Sequence, residues 1–417
     1  MAIDLRQVMA AFLTASMFVM LGNMIKKDHI DPFFESVESW PNDQYNVMKI
    51  ARLKHVEVLA NYANLWEQIP PPKLCWKKPS PKLEGHSMGF ILFSLKNVPE
   101  YHASQVSNAI HVARHLGATL VLPDIRGNKV GEKRNFAEVY DVNKFMSSLD
   151  GVVHVVKKLP TEIYSTKITT IRVPGRVSEL FILTKIGPLF KTRRSLRLVT
   201  QVPSSKMVKK IKKWNTAPHE CMAMFQALDL RPELKQLASS MVQTLRSLSQ
   251  KTSGQFIAID LRKDMMDKIR YQKNTSSESK RCRNAEEISQ FLRKIGVHND
   301  TTIYITQSRW NDNLNALREI FPYTFTKDAI MPMDGKARFM DAERSQVEDL
   351  IDLHICTESD IFVPAHFNQF YANVVGKKIA SGNSKVLVPL KKASTSVGDY
   401  ISPFITKKSH QAYSCLC

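Results

Sequence analysis

Two stretches of this chain repeat one pattern: a short apolar run, a segment with apolar residues at helical spacing, and a second short apolar run. In the first stretch "MGFILFSL", Met88 to Leu95, reads as a buried strand. Val106, Ala109, Ile110, Ala113 and Leu116 then recur at helical spacing, and Gly117 supplies a left-handed stop. "ATLVLP" follows as a second strand, ended by Pro123. Strand, helix and strand with short connections imply a parallel sheet covered by helices. The second stretch begins at "FIAIDL". Asn284 with Glu287 three residues later marks a helix start before Ile288, Phe291, Leu292 and Ile295, and Gly296 closes that helix. "TTIYIT" is the next strand, Leu314, Leu317 and Phe321 line a helix ended by Pro322, and "VEDLIDLHI" is helical. "DIFVP" is a strand, and "FYANVVGKKIA" is a helix running through Gly376 toward a further strand. With 417 residues the chain is too long for one ordinary core. The expectation is an α/β protein of two Rossmann-like lobes, residues 86–245 and 246–417, with a ligand cleft at the carboxyl ends of the strands.

The residues before the first lobe have a different texture. Val8 to Ile25 is eighteen residues without a charge, bracketed by Arg6 and by Lys26 and Lys27. That length suits a short transmembrane signal anchor, with 1–7 as a cytoplasmic tail. A cleaved signal peptide is the rival, because "FLTAS" offers small residues. Residues 26–85 end in "IPPPKLCWKKPSPK", which cannot hold a regular helix and reads as a stem. Two sequons, Asn274-Thr-Ser and Asn299-Asp-Thr, agree with a lumenal body.

Charge and motifs narrow the chemistry. A net charge of +20 favours polyanions or phosphate groups. Lys185 to Lys213 holds ten basic residues and no acid, either a solvated basic loop or an attractor of anions or membrane. The six cysteines show no CxxC pair, and His102, His111, His115, His354 and His366 lack metal-ligand spacing. No DxD triplet, GxGxxG, Walker loop or GxSxG elbow occurs, so no metal site and no common dinucleotide or ATP site is expected. What remains is the polar end of "FIAIDLRKD". In a parallel sheet that end opens onto the crevice, so Arg262 projects toward a ligand, and its planar fork suits phosphate. Asp260 and Asp264 would orient the guanidinium or handle a proton. The competing reading is an ion pair at a loop edge. Glu358, Ser359 and Asp360, before "IFVP", are either nucleotide contacts or a polar turn.

"NAIHVARHLGATLVLPDIRG", "FAEVYDVNKF" with "VVHVVKKLP", "FIAIDLRKDM", "TTIYIT", "FTKDAI" and "ESDIFVPAHFNQFYANVVGKK" stand in the order seen in the plant O-fucosyltransferase-like glycosyltransferases. The chain resembles that family from about Met88 to its end. It is most similar to the mannan-synthesis-related branch, through "DLRQV" near the start and the "YSCLC" tail. The resemblance implies a GT-B-like enzyme with no permanently bound cofactor. It further implies a type II single-pass protein of the Golgi membrane, acting with a GDP-sugar and a polysaccharide acceptor in mannan synthesis. Nucleic acid is not an expected partner. In the family pattern a His-Leu-Arg ends the strand, with the arginine on the donor diphosphate. Arg262 matches that arginine, and Asp260 stands where the histidine is expected. Asp264 matches the glutamate that follows, and Glu358, Ser359 and Asp360 match a block near the nucleotide. The family's glycine-rich first loop is replaced by "KNVPEYHAS", Lys96 to Ser104, in which Pro99 removes flexibility and an N–H donor. The leading expectation is an inverting, metal-independent transferase. Arg262 would stabilise the leaving diphosphate, and Asp264 or Glu100, helped by His102, would take the acceptor proton. The alternative is a non-catalytic accessory protein of a mannan synthase complex.

Overall fold

The computed structural model describes residues 87–96, 98–127, 131–164, 168–201, 218–262, 282–339, 345–390, 394 and 396–416, all within one compact unit. The expected tail, anchor and stem (1–85), the Asn274 sequon and Asp264 lie outside the described residues. Among the described residues no helix is long and apolar enough to cross a membrane.

Two sheets organise the chain. The first holds β1 (Phe90–Leu95), β2 (Thr119–Val121), β3 (Asp124–Arg126), β4 (Lys133–Asn135), β5 (Val155–Val156), β6 (Thr169–Val173) and β7 (Ser195–Thr200). Its order is β4-β3-β1-β2-β5, with β7 pairing β1 and β6. Only β3 and β4 run antiparallel. The second holds β8 (Phe256–Asp260), β9 (Thr302–Ile305), β10 (Thr324–Phe325) and β11 (Ile361–Pro364), all parallel, in the order β10-β9-β8-β11. The helices that bear on the site are α1 (His102–Leu116), α2 (Pro218–Phe225), α3 (Pro232–Leu248), α4 (Ala285–Lys294), α5 (Ser345–Glu358) and α6 (Gln369–Ala380).

Local chemistry sets the ends of these elements. Gly117 takes φ 61°, and its N–H closes α1 on Ala113 O. Asn284 and Glu287 form the reciprocal capping box that starts α4. Pro232 opens α3, where a missing N–H costs nothing. Gly376 is required by packing, since a Cβ there would collide with the rings of Phe225 and His410. The strand expected after α6 is reduced to isolated bridges, Phe362 with Val386 and Leu387 with Ile401. The basic stretch from Lys185 is not a loop as far as Thr200. It forms helical turns over Ile182–Ile186 and Gly187–Arg193, then β7, whose Leu196 and Leu198 are buried beside β1. Residues 202–213 of that stretch lie outside the described residues.

Side-chain alternation along β8 joins the two halves of the core. Phe256 and Ala258 face a large apolar cluster that also takes in Ile91, Met241, Ile351 and Val374. Ile257 and Ile259 face a second cluster with Ile288, Leu292, Ile303 and Leu317. One core is thus continuous from the first sheet to the second, which is more than two independent lobes would share.

Strand order fixes where a ligand can enter. From β8 the chain steps outward to β9 and β10, then returns to the other side of β8 as β11. In the first sheet it steps from β1 to β2, and β7 later fills the other flank of β1. Each sheet therefore has a topological switch point, at the carboxyl ends of β8 and β1, where the loops diverge and leave a crevice.

Candidate functional site

The loops at the two switch points meet. β8 is buried along its whole length, and Arg262, two residues beyond it, is only 6% exposed. Its Nε donates to Asp260 Oδ1 at 3.0 Å and its Nη1 to Glu100 Oε1 at 2.7 Å. Glu100 comes from the short turn Pro99–Tyr101 that follows β1. Asn373 of α6 fixes that turn by donating Nδ2 to Glu100 O at 2.7 Å. The guanidinium lies over the Phe370 ring, 4.2 Å from its centroid, in the first turn of α6. Arg262 Nη2 is buried and has no hydrogen-bond partner among the described residues.

Asp260 is a structural half of this arrangement. It is fully buried, and Oδ1 accepts from Thr306 Oγ1 at 3.2 Å as well as from Arg262. Thr306 Oγ1 in turn accepts from Leu261 N at 2.8 Å, so the strand end is held on β9's extension. The two sequence readings of this strand end, ion pair and ligand contact, are therefore compatible. Asp260 holds Nε and Glu100 holds Nη1, while Nη2 is left without a hydrogen-bond partner among the described residues.

More carboxylates stand nearby than the sequence reading placed there. Asp349 of α5 lies 3.9 Å from Arg262 Nη1. Behind it, the buried Lys327 ammonium pairs with Asp352 at 2.7 Å and Glu348 at 3.3 Å. Tyr304 OH donates to Asp352 Oδ1 at 2.5 Å. Glu100, Asp260, Glu348, Asp349 and Asp352 thus surround the cations Arg262 and Lys327, a locally acidic site in a basic chain. Burial works against the charge of Arg262, but Asp260, Glu100 and Asp349 outweigh it and hold its pKa up. Lys327 behaves alike: burial lowers it, Asp352 and Glu348 more than offset this, and it stays charged. Glu348, Asp349 and Asp352 sit at positions i, i+1 and i+4 of α5, so that Asp352 shares a helix face with both of the others, a signal the sequence carried in "VEDLIDLHI".

Burial pushes the Asp349 carboxyl up to about 7, against the pull of Arg262 and with a further push from Asp352. Between about pH 4 and 7 the folded chain holds a proton here that the unfolded chain has released, so this contribution to stability falls as pH rises. The side chain is 33% exposed, so solvent screening discounts the cost. A cost of about 1–2 kcal/mol remains. Asp349→Asn should remove this slope and unfold at higher urea than the parent at pH 8, with little difference at pH 4. An unchanged slope would exclude Asp349 as its source.

The remaining predicted residues are placed differently. His102, the first residue of α1, is buried with both ring nitrogens engaged: Nδ1 with Tyr140 OH and Nε2 with Lys96 O, each at 2.6 Å. The carbonyl requires Nε2 to donate, so Nδ1 accepts from the tyrosine and no lone pair is left for a substrate proton. Burial lowers its pKa to about 4, and the histidine is neutral. It anchors the turn that carries Glu100. Glu358, Ser359 and Asp360 stand at the amino end of β11, whereas Arg262 follows the carboxyl end of the neighbouring β8. Four residues of strand at roughly 3.3 Å each separate the two edges. Asp360 Oδ2 there accepts from Phe256 N at 3.0 Å and Arg246 Nη1 at 3.3 Å. Ser359 Oγ donates to Cys356 O, and Glu358 O accepts from Arg246 Nη2. These three residues tie down the far edge of the sheet and are not brought to Arg262. At the near edge β11 is instead followed by Ala365–Asn368, and Asn368 caps α6 by accepting from Tyr371 N. The first turn of α6, at the positive end of the helix dipole, thus packs its Phe370 ring against Arg262.

Three comparisons bear on this arrangement. The sequence profile of the GDP-fucose protein O-fucosyltransferase family matches residues 101–380. Protein MANNAN SYNTHESIS-RELATED 2 of Arabidopsis thaliana is 45% identical over 423 residues, covering 100% of both chains. Protein MANNAN SYNTHESIS-RELATED of Trigonella foenum-graecum is 38% identical over 422 residues, again covering 100% of both. Among solved structures, POFUT1 in complex with GDP-fucose is similar at 12% identity and TM-score 0.45, covering 74% of this chain and 99% of that one. Glu100 falls one residue before the matched segment.

Proposed function

This chain belongs to the GDP-fucose protein O-fucosyltransferase family, and from that premise we propose that it is a glycosyltransferase of cell-wall mannan synthesis using a GDP-sugar. The observation that carries the reading is Arg262: buried at a switch point, over Phe370 in the first turn of α6, with Nη2 buried and without a hydrogen-bond partner among the described residues. A guanidinium and a helix amino end together suit a diphosphate.

In this reading the bond between the sugar C1 and the diphosphate oxygen breaks, and its electron pair leaves with GDP, whose charge Arg262 stabilises. The acceptor hydroxyl oxygen attacks C1 from the opposite face, which inverts the centre without a metal. Its proton passes to a carboxylate. Asp349, near Arg262 and half-ionised around neutral pH, suits that role better than His102. We place the body in the Golgi lumen behind a single amino-terminal anchor. The test is the purified full chain with GDP-mannose, GDP-fucose and GDP-glucose, plus manno-oligosaccharide acceptors. Saturable GDP binding and sugar transfer are expected; the absence of both would reject the reading.

One observation favours a second reading, an accessory role beside a mannan synthase. Glu100 already occupies Arg262, and the surrounding carboxylates oppose a diphosphate. GDP binding without transfer to any acceptor would favour it.

A further inference from the structure

We infer that a second small-molecule site lies behind the turn that carries Glu100, and that it takes a hexose-sized phosphomonoester. A cavity of about 410 Å³ opens there between the start of α1 and the flanks of α5 and α6. That volume falls within the range of small-molecule sites, roughly 300–1,000 Å³. Arg262, Asp260 and Phe370 do not line it, so it is distinct from the crevice at the strand ends.

Charge identifies the ligand class. Lys144, Lys235 and Lys377 all line the cavity, with Asp229 and Glu358 as the acids. Lys144 and Lys235 both pair with Asp229 Oδ2, Lys235 at 2.7 Å. The ammonium of Lys377, which is half-buried on α6, has no hydrogen bond or ion pair among the described residues. Burial lowers its pKa, with Lys144 and Lys235 adding to that against the pull of Asp229 and Glu358. An unpaired ammonium facing a cavity is satisfied by an anion, and compact ammonium groups suit a phosphate. Each ammonium has three donors, so Lys144 and Lys235 retain N–H groups after bonding Asp229. Phosphate alone would leave most of the space empty. Leu228, Leu350, Leu353 and Phe225 supply walls for an organic body.

The cavity also shares its wall with the other site. Pro99, His102 and Asn373 line it, and these residues hold the turn on which Glu100 reaches Arg262.

The experiment is calorimetry on the full chain with mannose 1-phosphate, inorganic phosphate and free mannose. Mannose 1-phosphate should saturate, at least tenfold more tightly than mannose. Lys377→Met should weaken it at least tenfold, and Arg262→Lys should leave it unchanged. No saturation at millimolar concentration, or equal affinity for mannose, overturns the proposal. So does loss in Arg262→Lys with retention in Lys377→Met, which would put the ligand on Arg262. Should Lys377→Met fail to fold, acetylation footprinting of the parent chain decides: mannose 1-phosphate must protect Lys377, and an unprotected Lys377 overturns the site.

Discussion

Arg262→Ala is expected to lose about 3–5 kcal/mol of stability and, in the same protein, at least a hundredfold in GDP affinity. The stability loss follows from what stays behind. Asp260 is fully buried, and its ion-pair partner at 3.0 Å would be gone. A buried charge stripped of its partner is costly, whereas replacing both partners with neutral groups is nearly free. Asp260→Asn and Glu100→Gln combined with Arg262→Met should therefore return to near parental stability, because no paired carboxylate is then left without its cation and the aryl face of Phe370 can pack a thioether as well as a guanidinium. GDP affinity should not return. That separation distinguishes a phosphate-binding arginine from a purely structural one. Urea unfolding and calorimetry on the same samples read both, and full GDP affinity in the combined variant would remove Arg262 from the donor site.

The parts of this architecture that are local in sequence were legible there. Strand β8, the Asn284–Glu287 capping box and the Gly117 stop each depend on neighbours within a few residues. Arg262 was legible because a strand end in a parallel sheet has a predictable outlook. Its partner was not: Glu100 lies 162 positions away in sequence, and only the meeting of the two switch-point loops joins them. His102 was flagged by chemical type, but its chemistry is taken up by Tyr140, 38 positions on. Glu358, Ser359 and Asp360 show a different limit. A polar block before a strand enters at the amino edge, and strand direction alone puts that edge away from the crevice. The acids of α5 were missed because an amphipathic helix with carboxylates ordinarily turns them to solvent, whereas here Lys327 and Arg262 draw them inward.

Glu100→Gln is expected to tighten GDP binding by about 10- to 100-fold. The Glu100–Arg262 pair is short, at 2.7 Å, and its side chains are 15% and 7% exposed, so solvent screens it little. A charge-assisted hydrogen bond of this kind is worth about 1.5–3 kcal/mol, and a diphosphate must displace it to use the same guanidinium edge. Each 1.4 kcal/mol is tenfold in affinity. Glutamine retains a hydrogen bond to Nη1 but not the charge, and it removes one of the carboxylates that repel the incoming anion. It should also leave the fold intact, since the turn is held by Asn373 through the Glu100 carbonyl and by His102 through Lys96 O. Competition between a tethered carboxylate and a phosphate makes the two proposed roles separable. If Glu100→Gln gains both GDP affinity and sugar transfer, the parent is an enzyme restrained by its own first loop. If it gains affinity and still transfers nothing, the accessory role stands, with Arg262 a retained nucleotide contact. Unchanged or weaker binding in Glu100→Gln would mean that Glu100 does not compete with a ligand, and that its pairing with Arg262 serves only to close the two sheets on each other.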